Sequence, residues 1–176
     1  MGLSYFTLIH VLISLVGVTS GFGMLSGMLA GTLYPRWTML FLATTTATTV
    51  TGFFFPFRGF TPAFGVGIIS LLVLLAAIYA LYVRRLSGPW RKVYAINALV
   101  ALYLNVFVLI VQLFQKMPVL RELAPTQAEP AFAITQGALL IAFVALGISA
   151  TIRFRLASPA RIYEGETTSA VNLQRD

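Results

Sequence analysis

The chain has 176 residues, 59% hydrophobic and only 10% charged, with no cysteine, one histidine and a formal net charge of +7. Soluble domains carry about 25% charged residues, so this composition, with a mean hydropathy of +0.89, excludes an ordinary water-soluble globule and points to bilayer spans. Without cysteine there are no disulfides, iron–sulfur clusters or thiolate metal sites.

Five apolar stretches follow one another, each close to the roughly 20 residues that a helix needs to cross a hydrocarbon core. The first, Phe6–Gly31, lies in a segment without Asp, Glu, Lys or Arg from Met1 to Pro35. It has no positive leading region and its apolar run is too long for a secretion signal, so it reads as a tilted membrane helix. Within it, GMLSGMLAG sets Gly23, Gly27 and Gly31 at spacing four, a small-residue ridge suited to close helix approach. The opposite face carries His10, Ser14, Gly17 and Gly21.

The second stretch, Trp37–Phe57, contains ATTTATTVTG. On a helix, Thr44, Thr48 and Thr51 form one ridge, Thr45 and Thr49 the adjacent one, and Thr46 lies outside both. A threonine hydroxyl can bond the carbonyl three or four residues back. The face is therefore either self-satisfied packing or a wall of hydroxyls lining a path. Ala63–Val83 is plainly apolar. The fourth stretch, Val93–Gln115, places Tyr94, Asn97, Ala101, Asn105, Gln112 and Gln115 in a narrow arc. Asn105 falls near mid-membrane, where an amide must face protein or water. The fifth stretch, Ala131–Ile152, contributes Thr135, Gln136, Gly137, Gly147 and Ser149, for which packing is explanation enough. Residues 157–176 read as a flexible polar tail.

All the charged residues fall outside these spans, and the prolines lie in the connections, in the tail or, for Pro56, at a span end. Alternate connections carry Arg36, then Arg84, Arg85, Arg91 and Lys92, then Arg153, Arg155, Arg161 and Arg175; the others carry only Arg58, Lys116 and Arg121. Positive residues remain in the cytoplasm, so the N-terminus is expected outside and the C-terminus inside. The net charge then reflects topology and contact with lipid headgroups, not a nucleic-acid partner.

Several chemistries lack their residues. A bis-histidine haem needs two histidines, no G-x-S-x-G elbow or phosphate loop occurs, and no span holds a carboxylate for proton coupling. No metal or cofactor is expected, and the chain leans away from being an enzyme. A lipid or quinone enzyme using the outer loop is a third, weaker reading. That connection, Lys116–Pro130, holds Arg121, Glu122, Gln127 and Glu129, which with His10 and Arg58 form either an outward polar site or a solvated, proline-stiffened loop.

The segments TVTGFFFPF (Thr49–Phe57), ALYLNVFVLIVQ (Ala101–Gln112) and LAPTQAEPAF (Leu123–Phe132) resemble a group of bacterial inner-membrane proteins with no assigned activity. The resemblance implies a bacterial cytoplasmic membrane and no site residue. The expectation is an all-α bundle of five transmembrane helices over residues 1–156, followed by a cytoplasmic tail. In it, Thr44, Thr48, Thr51, Asn105 and Gln112 form a polar seam for a small polar or amphiphilic molecule. The alternative is an accessory or assembly subunit of a larger membrane complex, docking through Gly23, Gly27 and Gly31, or a homo-oligomer.

Overall fold

The computed structural model describes residues 2–55 and 62–156. Within them the chain is all-helical: α1 spans Gly2–Leu29, α2 Pro35–Gly52, α3 Pro62–Ile78, α4 Trp90–Lys116, α5 Pro118–Leu123 and α6 Pro130–Leu156, with a π-helical turn over Tyr79–Val83 after α3. Four segments are long and apolar enough to cross a membrane: Tyr5–Leu29, Phe64–Val83, Trp90–Lys116 and Pro130–Phe154. In α2 the threonines and Arg36 dilute the apolar character of an 18-residue helix. The expected tail, 157–176, and Arg58 lie outside the described residues.

Proline fixes where helices begin. Pro35, Pro62, Pro118 and Pro130 are the first residues of α2, α3, α5 and α6, a position where the missing N–H would have had no intrahelical partner. Glycine ends α1. Gly31 sits in left-handed backbone, φ 74°. The Thr32 N–H donates to the Gly27 carbonyl at 2.9 Å and the Gly31 N–H to the Met28 carbonyl at 3.0 Å, the paired bonds of a glycine-terminated helix. Gly31 is therefore a cap beyond the helix and not a third step of the glycine ridge. The second helix also stops earlier than its apolar run suggests, at Gly52 and not Phe57. There Phe53 and Phe54 turn back, their amides donating to the Val50 and Thr51 carbonyls at 3.2 and 3.1 Å. The Phe53 ring meets Phe64 of α3 edge-on at 5.2 Å.

α1 and α2 form an antiparallel hairpin, and α4 packs against α1, α3 and α6. Met24, Met28, Phe41, Leu74, Tyr94, Leu102 and Phe154 are fully buried. All lie in the half of the bundle nearest the α1–α2 and α3–α4 turns. That end also gathers the described cations Arg36, Arg84, Arg85, Arg91, Lys92 and Arg153. The Arg153 guanidinium donates to the Leu29 carbonyl at 3.2 Å, so a cation meets the negative end of the α1 dipole. Lys116, Arg121, Glu122 and Glu129 belong to the opposite end. Between the ends, Leu8, Leu12, Ile69, Leu72, Ile134, Ile141, Val144 and Ile148 are exposed, an apolar girdle that matches acyl chains and is far too continuous for water.

The α3–α4 turn is held tightly. The Arg84 N–H donates to the Tyr79 carbonyl at 3.0 Å and the Leu86 N–H to the Ala80 carbonyl at 3.1 Å. Arg85 and Leu86 are left-handed, φ 47° and 53°, as is Gly88 at 51°. Left-handed backbone costs an L-residue about 1–2 kcal/mol. Burying the Leu86 side chain, 2% exposed, returns about 1.5–3 kcal/mol. The Arg84 guanidinium carbon lies 5.0 Å from the centre of the Trp90 ring, which itself meets Tyr79 edge-on at 5.2 Å.

Candidate functional site

Polar side chains of α2 meet α1 and α4 at successive levels along the bundle. Nearest the basic end, the Tyr94 hydroxyl donates to Thr38 Oγ1 at 3.5 Å in a fully buried contact. Farther along, Asn105 Nδ2 donates to Thr45 Oγ1 at 3.4 Å. α1 reaches this pair through Gly17. A Cβ on Gly17 would stand 3.1 Å from Asn105 Nδ2, 3.1 Å from Thr45 Oγ1 and 3.3 Å from Thr44 Oγ1, so three helices converge where one residue has no side chain. Beyond that junction, Thr48 Oγ1 is buried with no hydrogen-bond partner.

At the last level His10 Nδ1 lies 2.9 Å from Thr51 Oγ1, joining the start of α1 to the end of α2. The Thr51 hydroxyl is also 2.7 Å from the Ala47 carbonyl. All three atoms are satisfied when Thr51 donates to Ala47 and accepts from the His10 Nδ1–H, which leaves Nε2 as an acceptor. The His10 ring meets Phe55 edge-on at 5.1 Å.

Both readings of the threonines find support in different residues. Thr44 donates to the Leu40 carbonyl at 2.6 Å, Thr49 to Thr45 at 2.8 Å and Thr51 to Ala47 at 2.7 Å, the self-satisfied arrangement expected of buried hydroxyls. Thr46 and Thr48 have buried hydroxyl oxygens without a partner. The partner of Asn105 comes from the second threonine ridge: it is Thr45, and not Thr44, Thr48 or Thr51. The missed signal is that Thr38, Phe41 and Thr45, all buried, share one face at spacings of three and four.

The amide arc of α4 divides. Asn97 Nδ2 donates to its own Val93 carbonyl at 2.8 Å, Gln112 is half-buried, and exposed Gln115 reaches Gln127 Oε1 at 3.5 Å. Among the described residues, the outer set shares no common hydrogen-bond partner. His10 engages α2, and Gln127 Nε2 donates to the Val111 carbonyl at 3.2 Å. Arg121 borders a shallow depression of about 360 Å³ with Lys116, Pro118, Glu122 and Pro125. Glu129 accepts from the Thr126 hydroxyl at 2.8 Å and the Thr126 N–H at 3.1 Å.

Desolvation acts to raise the Glu129 carboxyl, but the hydrogen bonds from Thr126 and neighbouring amides outweigh it and hold the group below its ordinary value of 4.5. A depressed folded-state value gives stabilisation that is present above 4.5 and is lost as pH falls through the lower folded value. Protection of the Thr126 amide, its exchange rate taken relative to the intrinsic rate at each pH, is therefore expected at neutral pH and should disappear in acid below that value. In Glu129→Gln the acid dependence should vanish; an unchanged profile would assign it to another group.

The glycine ridge is covered from within the chain. A Cβ on Gly23 would lie 2.5 Å from the Trp37 ring, and one on Gly27 3.0 Å from the Tyr34 ring. These rings, from the α1–α2 turn and the first turn of α2, lie over the two glycines.

Gln136, expected to serve packing alone, also stands out. It is 9% exposed. Its Nε2 donates to the Phe107 carbonyl at 3.3 Å, while Oε1 is buried without a partner. Gln136→Leu removes one modest bond and one orphaned acceptor together, so unfolding in detergent should shift by no more than about 1 kcal/mol. A loss above about 3 kcal/mol would mean that Oε1 is satisfied in the membrane.

Among the described residues no group of three or more His, Asp or Glu side chains is placed to hold a metal ion. Comparison of the chain with protein-family models, curated proteins and solved structures finds no match to any of them.

Proposed function

We propose that the protein is a non-enzymatic, five-span membrane protein of a bacterial cytoplasmic membrane, and that the seam between α1, α2 and α4 binds or passes a small polar or amphiphilic molecule. The fifth span in this reading is α2. Its 18 residues extend about 27 Å, close to the roughly 30 Å of a hydrocarbon core, and it lies antiparallel to α1 inside the bundle. The cation-rich end then faces the cytoplasm, with the N-terminus outside.

One observation carries the seam reading: its polar groups lie where close packing stops. Thr38 and Thr45 are buried and Leu102 is fully so, whereas His10, Thr48, Thr51 and Gln112, farther from the basic end, are only half-buried. In this reading Asn105, Thr45 and Gly17 are the inner end of a polar seam that runs towards the outer end. A mean interhelical hydrogen bond in a membrane contributes only about 0.6 kcal/mol, while an orphaned buried hydroxyl costs about 1–3 kcal/mol. Thr48 is therefore a poor choice for packing alone and a good one for meeting water or a guest.

The absence of native cysteine makes the test direct. Single cysteines at Thr48, Gln112 and lipid-facing Ile141 are treated in sealed vesicles with a water-soluble thiol reagent. Labelling at Thr48 and Gln112 but not at Ile141 is the expected pattern. Equal silence at all three positions would reduce the seam to helix packing.

A further inference from the structure

We infer that the turn between α3 and α4 is a binding site for the phosphate group of an anionic phospholipid, with Arg84 and Arg85 as its ligands. The inference rests on the membrane reading given above. Both arginines are exposed, and neither has a carboxylate partner among the described residues: Glu122 and Glu129 belong to the other end of the bundle, and Glu164, Glu166 and Asp176 lie outside the described residues. Their position is fixed by the fold. Buried Leu86 pins the turn, the left-handed backbone at Arg85 and Leu86 sets the direction of the chain, and the Ser87 hydroxyl donates to the Arg84 carbonyl at 2.8 Å. The Arg84 guanidinium rests over Trp90, an arrangement that orients a planar donor fork without satisfying its N–H groups.

What adjoins the cations identifies the anion. Val83 is 62% exposed, Tyr82 55% and Tyr79 43%, so apolar and interfacial side chains border the arginine pair on the membrane side. A soluble phosphate would use the guanidinium groups and ignore that surface. A phospholipid uses both, its phosphate oxygens accepting from arginine and its glycerol and upper acyl carbons covering Val83 and the tyrosine rings. Exposed Lys92 adds charge at the same turn.

The test uses the full chain reconstituted in bilayers of equal phosphatidylglycerol and phosphatidylcholine, then released into mild detergent and weighed intact with its retained lipids. The wild type should keep phosphatidylglycerol in preference to phosphatidylcholine, and Arg84→Gln/Arg85→Gln should reduce that preference about tenfold. Arg121→Gln, at the opposite end, should leave it unchanged. Helix content by circular dichroism separates a lost site from a lost fold, and the milder Arg84→Lys/Arg85→Lys should keep the fold and part of the preference. Equal retention by the wild type and the double glutamine variant overturns the site, as does an equal loss in Arg121→Gln or displacement of the lipid by millimolar inorganic phosphate. Failure of the wild type to enter the bilayer at all would instead refute the membrane reading.

Discussion

Gly21→Leu should prevent the native bundle from forming, and Gly21→Ala should already destabilise it by about 1–3 kcal/mol. A Cβ at this position would fall 2.4 Å from Leu102 Cδ1 and 2.9 Å from Phe41 Cδ2. The leucine methyl is the free end of a flexible side chain and can give. The Phe41 ring is fully buried, and Phe41 and Leu102 sit on two different helices that would both have to move. Close-packed interiors resist such displacement because each shift forfeits contacts elsewhere. The measurement is unfolding in detergent, followed by helix content and tryptophan emission. Gly137→Ala is the control. Nothing would lie within 4 Å of its Cβ, and alanine in a helix interior gains about 0.8–1.0 kcal/mol over glycine. A Gly21→Ala protein as stable as the control would mean that α1, α2 and α4 do not meet as described.

The second large effect is on function. Asn105→Leu/Gln112→Leu should abolish labelling of a cysteine at Thr48 while leaving the helix content intact. Leucine is close to asparagine and glutamine in bulk but offers no donor or acceptor, so the proposed seam loses the groups that would hold water. The structural cost is small because the Asn105–Thr45 bond is long, 3.4 Å, and such bonds contribute about 0.6 kcal/mol on average in membranes. A cycle combining Asn105→Leu with Thr45→Val should accordingly give a coupling below about 1.7 kcal/mol. A larger coupling, or undiminished labelling in the double leucine protein, would show that the amides serve as helix-to-helix fastening and nothing more. Gly17 offers a complementary route. Gly17→Ala pushes a methyl to within 3.1 Å of both partners, and so disturbs the junction without changing its polarity.

The α1 glycines show why spacing is not enough to name a contact. Gly23 and Gly27 have the repeat that invites a partner helix, yet Trp37 and Tyr34 cover them. Gly17 and Gly21, on the face that also carries His10, are the glycines that meet side chains of both α2 and α4. A glycine marks a place where something can come near; what comes near depends on how the next helix leaves the turn. Here the Gly31 cap and Pro35 bring α2 back along α1, with its first aromatic residues lying over the ridge.

The sequence by itself determined the apolar helical segments, most of their ends and the segregation of charge. These are local or solvent-driven properties: proline cannot continue a helix from within, glycine tolerates the left-handed cap, and charged side chains partition out of hydrocarbon wherever the neighbours stand. It also marked Asn105, Gln112 and the threonine face as an intramembrane polar seam, but set His10 with the outer loop. Only the tertiary structure decided which of them meet. A period of 100° per residue orders side chains around one helix but does not say how far that helix is rotated against its neighbour. That rotation is set by interdigitation of buried residues such as Phe41, Leu102 and Met24, and it turned Thr45 towards Asn105, paired Thr51 with His10 and left Thr48 beside the seam without a partner. The α3–α4 turn was decided in the same way, because the left-handed backbone at Arg85 and Leu86 has no glycine to announce it and follows from burying Leu86.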